Sequence, residues 1–403
     1  MQRYSGALTL GFSSLAHTFS HLFTLLYATV VLVLDREWGM GYDALFALSI
    51  PMSVLFGAAA LPAGWLGDKW SASGAMALFF LGVGGGSIAA GLATGPVSIC
   101  ISLAVIGLFA AIYHPVGIPW LVRNATNRGR ALGINGVFGS IGTAGAALVA
   151  GLFSEFLGWR SAFIVPGAIC LVVGIAFILA RQAGLLLDRG DDLAPEKEPS
   201  KADIWRVFWV LSATMLCTGL TYQATSYALP KVFEERIGDL FHGSLLGIGA
   251  MVTLVYTASA FAQIIGGELA DRYSLKNVYV LAQWVQIPII VGALMTVHPA
   301  LVGLSALMVA MNVAGQPAEN SLLARYTPGK WRGRAFGAKF VLTLGVGSLG
   351  AALIPVIYRF TGNLDVLFIV LLGCAIGAGA FGLLLPGDSR QAVEAGPAPQ
   401  AAE

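Results

Sequence analysis

The chain has 403 residues, of which 57% are hydrophobic and only 11% charged, with 23 Lys and Arg against 21 Asp and Glu. Soluble domains carry about a quarter charged residues, so this balance, with a mean hydropathy of +0.79, excludes an ordinary soluble enzyme and predicts an all-α membrane protein. The net charge of +2 is spread over short clusters between apolar runs, and no face concentrates Lys and Arg as a nucleic-acid-binding surface would.

A helix needs about 20 mainly apolar residues to cross the hydrocarbon core, and twelve segments of this chain qualify. The first, 9–34, follows Arg3 and has no small-residue cleavage site after a short core, so it is expected to be a retained first helix and not a signal peptide. It is followed by 42–66, 75–94, 97–121, 131–157 and 161–181. The longest polar insertion, 182–203, contains Asp188-Arg-Gly-Asp-Asp192 and Glu196-Lys-Glu-Pro-Ser-Lys201. After it come 204–230, 245–270, 277–297, 299–325, 335–360 and 363–385. The tail, 386–403, is rich in Ala, Pro, Gln and Glu and is expected to be disordered. The expected organisation is therefore a six-helix bundle over 1–181, a cytoplasmic linker over 182–203 and a second six-helix bundle over 204–385.

With both termini placed in the cytoplasm, 18 of the 23 Lys and Arg fall on the cytoplasmic side and five (Arg36, Arg160, Lys231, Arg236, Arg359) outside. That asymmetry sets the expected orientation. Lys339 is counted inside because, one turn into its helix, it can snorkel to the interface. The four cysteines (Cys100, Cys170, Cys217, Cys374) fall in four different apolar segments, without the spacing of a metal site.

The two halves repeat. Gly64-Trp-Leu-Gly-Asp-Lys-Trp70 lines up with Gly267-Glu-Leu-Ala-Asp-Arg-Tyr273 at an offset of 203, and Arg128-Gly-Arg-Ala-Leu-Gly133 with Arg332-Gly-Arg-Ala-Phe-Gly337 at 204. Two independent matches at nearly one offset indicate duplication. Aligned on their prolines, Tyr113-His114-Pro115 also lies over Gly315-Gln316-Pro317.

Gly64-x-x-x-Asp68-Lys69 and its echo Gly267-x-x-x-Asp271-Arg272 resemble the loop motif of the major facilitator superfamily, and the resemblance covers nearly the whole chain. It implies the major facilitator fold, with twelve transmembrane helices as two parallel six-helix bundles. It also implies that Gly64, Asp68, Lys69, Gly267, Asp271 and Arg272, with Arg130 and Arg334 at the openings of the fifth and eleventh helices, form a latch between the halves in the outward-facing state. A carboxylate beside a helix N-terminus gains from its dipole and from nearby arginines; alternatively, Asp68 caps a turn and Lys69 obeys the positive-inside rule. Ser71 and Ser73 depart from the family loop, which usually has Gly and a basic residue there. Ser20-His21-Leu22, Tyr113-His114-Pro115 and Gly139-x-x-Gly142-x-x-Gly145 are similar to the fosmidomycin-resistance type of efflux facilitator. Val116 and Ala146 stand where that group tends to have an acid and a proline, so the efflux class carries over and the substrate does not.

Titratable groups at membrane depth are costly unless paired or wet, which makes each a functional candidate. His17 and His21 lie four apart on one helical face, and His114 precedes Pro115. By the resemblance, helices 1, 4, 7 and 10 line the solute cavity, which puts all three histidines near it. His114 suits proton coupling or an anionic substrate; the alternative is a neutral ring held by a carbonyl that Pro115 frees. His17 and His21 suit a cavity role, interhelical hydrogen bonding or, since two His at this spacing can share an ion, metal binding; no acid or Cys on their segment completes a metal site, so no metal is expected. In the second half, Asn312, Gln316, Glu319 and Asn320 sit on helix 10, the last three on one face. Glu319 suits a proton or cation carrier, or a structural pair with Lys339. Tyr222, Gln223 and Tyr227 on helix 7 offer a surface for a solute or, alternatively, aromatic packing. Gly139, Gly142, Gly145, Gly345, Gly347 and Gly350 are expected to serve close helix contact during rocking.

No phosphate-binding Gly-x-x-x-x-Gly-Lys loop appears, and no catalytic triad. The sequence thus predicts a cofactor-free, monomeric secondary transporter in the inner membrane and not an enzyme. Its expected partners are a small-molecule solute, protons and the lipid bilayer, and the favoured mode is proton-coupled efflux. Uptake or symport of a small organic anion or metal ion is the alternative.

Overall fold

The computed structural model describes residues 2–125, 127–188, 200–327, 335, 338–339, 341–345 and 347–387, and the described residues are almost wholly helical. The order is α1 Gln2–Trp38, α2 Tyr42–Ala47, α3 Ile50–Ala58, α4 Ala60–Lys69, α5 Ala72–Gly91, α6 Pro96–Ala110, a π-helical turn Tyr113–Gly117, α7 Ile118–Asn124, α8 Arg128–Leu157 and α9 Trp159–Gln182. Then follow α10 Lys201–Ile237, a 3-10 turn Gly238–Phe241, α11 Leu245–Arg272, α12 Leu275–Met295, α13 Ala300–Ala314, α14 Gln316–Tyr326, a second π-helical turn Val341–Gly345, α15 Gly347–Thr361 and α16 Asp365–Gly382. Helices satisfy their own backbone groups, which is what a water-free core demands.

Among the described residues, ten helices are long and apolar enough to cross a membrane, and eleven if the bent pair Tyr42–Ala58 and Ala60–Lys69 is one span. The predicted segment 335–360 is described continuously only from Gly347, and the parts of the predicted linker and tail at 189–199 and 388–403 lie outside the described residues. Three predicted continuous helices are broken, each near a proline. The segment 42–66 bends by 40° between α3 and α4. The segment 97–121 gives way to a π-turn around Pro115, and 299–325 breaks at Gly315 ahead of Pro317. Proline removes a backbone donor and clashes with the preceding turn, so the chain there cannot hold regular i to i−4 bonding.

Bilayer embedding explains the surface. Helix α9 buries Trp159, Phe163, Cys170 and Phe177 but exposes Ile169, Val172, Ile175 and Leu179 along one stripe. On a soluble protein such a patch would be a liability; on this one it meets acyl chains.

Contact between the two halves of the chain runs along α8 and α11, where Gly151 approaches the Leu245 carbonyl and Gly249 the Ala147 carbonyl, and where Thr253 donates to the Ala144 carbonyl at 2.6 Å. A second seam brings Gly57 of α3 onto Gly345, so close that a Cβ on Gly57 would lie 2.1 Å from the Gly345 Cα. The predicted glycine ladders therefore divide. Gly139 and Gly142 face His17 and Thr18 inside the first half, Gly350 faces Ala224 inside the second, and Gly145 meets nothing within 4 Å. Of the glycines in these ladders, Gly345 is the one that meets the other half among the described residues.

Candidate functional site

Helix α1 carries His17 and His21 near its middle, and the π-turn swings His114 toward them. The ring centroids of His17 and His21 are 5.0 Å apart, and His114 lies 5.4 Å from each. His17 and His21 are half-buried and His114 is buried. His17 Nδ1 is 2.8 Å from the Asn135 carbonyl oxygen, where only an N–H can sit. His17 Nε2 therefore presents its lone pair, and His21 Nε2–H donates to it at 3.2 Å. Tyr113 stacks on His17 at 4.7 Å and donates its hydroxyl to Asn135 Oδ1 at 2.7 Å, while Asn135 Nδ2 donates to Ser13 at 3.2 Å. Asn135, Tyr113 and Ser13 are buried; of these only Tyr113 stands out in the sequence, as part of Tyr113-His114-Pro115. The signal available was a lone Asn within the glycine-rich face of a membrane helix.

In the second half, Glu319 pairs with Lys339 at 2.7 Å, with side chains only 3% and 9% exposed respectively. Lys339 also donates to Asn320 Oδ1 at 2.5 Å, and the buried Tyr279 donates to Glu319 Oε2 at 3.1 Å. The second π-turn follows directly, with Thr343 donating to the Lys339 carbonyl at 2.8 Å. A narrow crevice nearby is lined by Thr221, Tyr222, Thr225, Gln286, Met308, Val309 and Asn312.

The remaining predicted cavity residues scatter. Gln316 meets Gln263 at 3.4 Å and does not join Glu319 and Asn320 on Lys339. Asn312 donates to the Thr218 carbonyl at 3.3 Å. Gln223 is buried. Tyr222 packs on Tyr256 at 6.1 Å. Tyr227 turns to the other half, accepting from Ser53 at 3.4 Å and lying 6.2 Å from Phe46.

Residues 13–238 and 211–402 each match the Major Facilitator Superfamily profile. The chain belongs to the major facilitator superfamily. Its architecture is therefore that of a multi-pass, all-helical membrane protein, in a family of secondary transporters. Among curated relatives it is 28% identical over 160 residues to the puromycin resistance protein pur8 of Streptomyces alboniger, covering 38% of this chain and 32% of that one. It is 26% identical over 244 residues to the tetracenomycin C resistance and export protein of Streptomyces glaucescens, covering 59% of this chain and 39% of that one. The matches thus span only 32% and 39% of those relatives' lengths. Among solved structures, the peptide transporter POT in complex with sulfate matches with a TM-score of 0.74 at 16% identity, over 94% of this chain and 93% of that one. The inward-facing, unoccupied bacterial homologue of the human lysosomal transporter Spinster matches with 0.70 at 14%, over 94% and 95%.

This facilitator's loop residues sit at one end of the bundle. Asp68, Lys69, Asp271, Arg272 and Arg130 are exposed, and Gly64 lies against Pro115. Arg272 pairs with Glu268 on its own helix, Gly267 meets nothing within 4 Å, and Arg334 lies outside the described residues. The departures from the family loop have a structural role: Ser71 donates to Asp188 at 2.7 Å, the Ser73 backbone N–H and hydroxyl donate to it at 3.1 Å each, and Arg181 donates to Ser73 at 3.0 Å. Asp188 thereby caps α5 and anchors the chain that leaves α9.

The opposite end is closed by charged residues whose cations the sequence marks only as lying outside. Arg36 pairs with Glu234 at 2.8 Å across the halves, Lys231 with Glu234 at 2.9 Å and Glu235 at 3.6 Å, and Tyr358 donates to Glu235 at 2.7 Å. Lys231 lies over the rings of Tyr42 and Tyr358, which are 4.9 Å apart. Glu155 accepts from Ser244 at 2.7 Å and from the Leu246 N–H at 2.9 Å, at the start of α11. Opposite charges on Asp35-Arg36-Glu37 and Lys231-x-x-Glu234-Glu235-Arg236 were the available signal.

Proposed function

We propose that this facilitator exports a small organic solute across the inner membrane by alternating access, driven by inward proton movement. Two six-helix bundles, 1–181 and 204–385, rock about a central site as a monomer, joined by the linker 182–203, with both termini in the cytoplasm. The closed end, with Arg36, Lys231 and Glu234, is then extracellular, and Asp68 with its partners latches the cytoplasmic end in the opposite state. His17, His21, His114, Tyr222, Gln223, Tyr227, Asn312, Gln316, Glu319 and Asn320 line the solute and proton path.

The observation that carries the coupling is the buried Glu319–Lys339 pair. A proton arriving on Glu319 removes the charge that holds Lys339, which is left on Asn320, and loosens α14 from the π-turn beyond it. Loss of the proton to the other side restores the pair. Glu319 is preferred to His114 as proton carrier because a counter-charge stands in contact with it, so protonation changes a contact between helices. Export is supported by the resistance and export functions named for the two relatives, and by the resemblance to fosmidomycin-resistance facilitators.

The test uses everted vesicles with an imposed pH gradient and puromycin as solute. The wild-type chain accumulates the drug only with the gradient. Glu319→Gln loses that dependence and keeps solute-for-solute exchange. Unchanged proton dependence in the variant overturns the coupling role, and absence of drug accumulation by the wild type overturns drug export.

A further inference from the structure

We infer that His17, His21 and His114 form a binding site for a divalent first-row transition-metal ion, open to one further ligand from the solute path. One ligand nitrogen from each of the three rings can be chosen so that all lie within 4.8 Å of one another. The His17–His21 Nε2 separation is 3.2 Å. Metal–imidazole bonds of about 2.0–2.1 Å in a tetrahedron place neighbouring nitrogens about 3.3–3.4 Å apart, so the His17–His21 edge is already set and His114 has to close in to complete the cluster.

The surroundings are those of a ligating histidine. Metal-bound His normally gives its other N–H to a carbonyl or carboxylate, which fixes ring and tautomer; His17 does this through Nδ1 to the Asn135 carbonyl, leaving Nε2 free to ligate. Gly139 makes the space, since a Cβ there would lie 2.4 Å from His17 Cε1. In the ion-free cluster His21 Nε2–H donates to His17 Nε2. An ion entering between them takes that place, and the proton passes to His21 Nδ1 without change of charge.

The donor set selects the ion. Three imidazoles suit Zn2+, Ni2+, Co2+ or Cu2+ and disfavour Mg2+ and Ca2+, which demand oxygen. Among the described residues the cluster holds three imidazoles and no carboxylate. A structural zinc site is closed with four ligands; this one keeps a vacancy for an oxygen donor and leaves the ion's charge uncompensated. Such a site binds and releases, as a transporter's cavity must. The inference deepens the transporter reading by naming a ligand class for the first-half wall of its cavity.

Binding is measured on the full chain in detergent, without transport, so its failure is separate from failure of the export reading. Isothermal titration with Zn2+ is expected to give one saturable site per chain, absent with Mg2+. His17→Gln, His21→Gln and His114→Gln should each weaken it at least about tenfold. Co2+ should give the intense visible bands of a tetrahedral nitrogen site, lost in the same variants. Gly139→Ala, which removes no ligand, should also weaken binding by displacing His17. Each variant is checked for a wild-type unfolding profile in the absence of metal, and Zn2+ should raise the unfolding temperature of the wild type alone. No saturable Zn2+ binding, or binding unchanged in folded His114→Gln and His21→Gln, overturns the site.

Discussion

Removing one charge from the Glu319–Lys339 pair should cost far more than removing both. The side chains are 3% and 9% exposed, and breaking a buried pair by losing one partner typically costs about 3–5 kcal/mol, whereas replacing both by uncharged groups is often near neutral. Glu319→Gln leaves the Lys339 ammonium with Asn320 at 2.5 Å, so its cost should fall at the lower end, about 3 kcal/mol. Lys339→Met leaves Glu319 with the Tyr279 hydroxyl as its remaining partner among the described residues, and should cost as much or more. The double variant should lie within about 1 kcal/mol of wild type, giving a coupling of about 2–5 kcal/mol in the double-mutant cycle. Denaturant unfolding in mixed micelles reads the four stabilities, and vesicle transport is expected to show the double variant folded but uncoupled from protons. Additive single effects, with the double variant the least stable, would refute the reasoning.

The other predictions concern the seams and the two ends. Gly57→Ala puts a methyl carbon 2.1 Å from the Gly345 Cα, where ordinary contact begins near 3.4 Å; overpacking of this kind costs about 1–3 kcal/mol. Cross-linking between cysteines at positions 36 and 234 should drop several-fold in this variant, and an unchanged yield would count against the seam. Arg36→Ala should shift the same equilibrium by less than about 1 kcal/mol, because Arg36 is 53% exposed, and its effect should fade with salt. Asp68→Asn should slow transport with no loss of folded protein; full activity would remove it from the latch. Asp188→Ala strips the acceptor shared by Ser71 and Ser73 and should cost about 1 kcal/mol, with increased proteolysis near residue 188 as the readout.

What the sequence conveys best is what is local or repeated. Apolar runs mark the spans, and Pro115 and Pro317 mark breaks in helices 4 and 10, because a missing donor acts on its own turn. Less was readable wherever partners come from different helices. His114 is remote in sequence from His21, and its arrival depends on the π-turn at Tyr113–Gly117, while the seat of His17 beside them depends on the space at Gly139. Ser71 and Ser73, read alone, are losses from the family loop; only the fold brings Asp188 to them. The closure by Arg36, Lys231 and Glu234 joins residues far apart in sequence, and under the proposed alternating-access cycle it belongs to one state, whereas a sequence encodes every state at once.

The duplication itself becomes more informative once the two titratable clusters are placed. The offset of 204 that aligns Arg128-Gly-Arg130 with Arg332-Gly-Arg334 also aligns Asn135 with Lys339. Asn135 holds His17 through its carbonyl and Tyr113 through its side chain, while Lys339 holds Glu319. One inherited position thus tethers the titratable group of each half, with a neutral residue where the group is a histidine cluster and a cation where it is a carboxylate. Exchanging them separates inheritance from present chemistry. Asn135→Lys puts an ammonium beside His17 with no carboxylate in the cluster to receive it, and a buried unpaired charge costs several kcal/mol. Lys339→Asn leaves Glu319 without its cation. Both should destabilise the chain by about 3 kcal/mol or more, and only Lys339→Asn should be rescued by Glu319→Gln. Rescue of Asn135→Lys by that same change would mean the two clusters act as one, and the division of labour between the halves would fall.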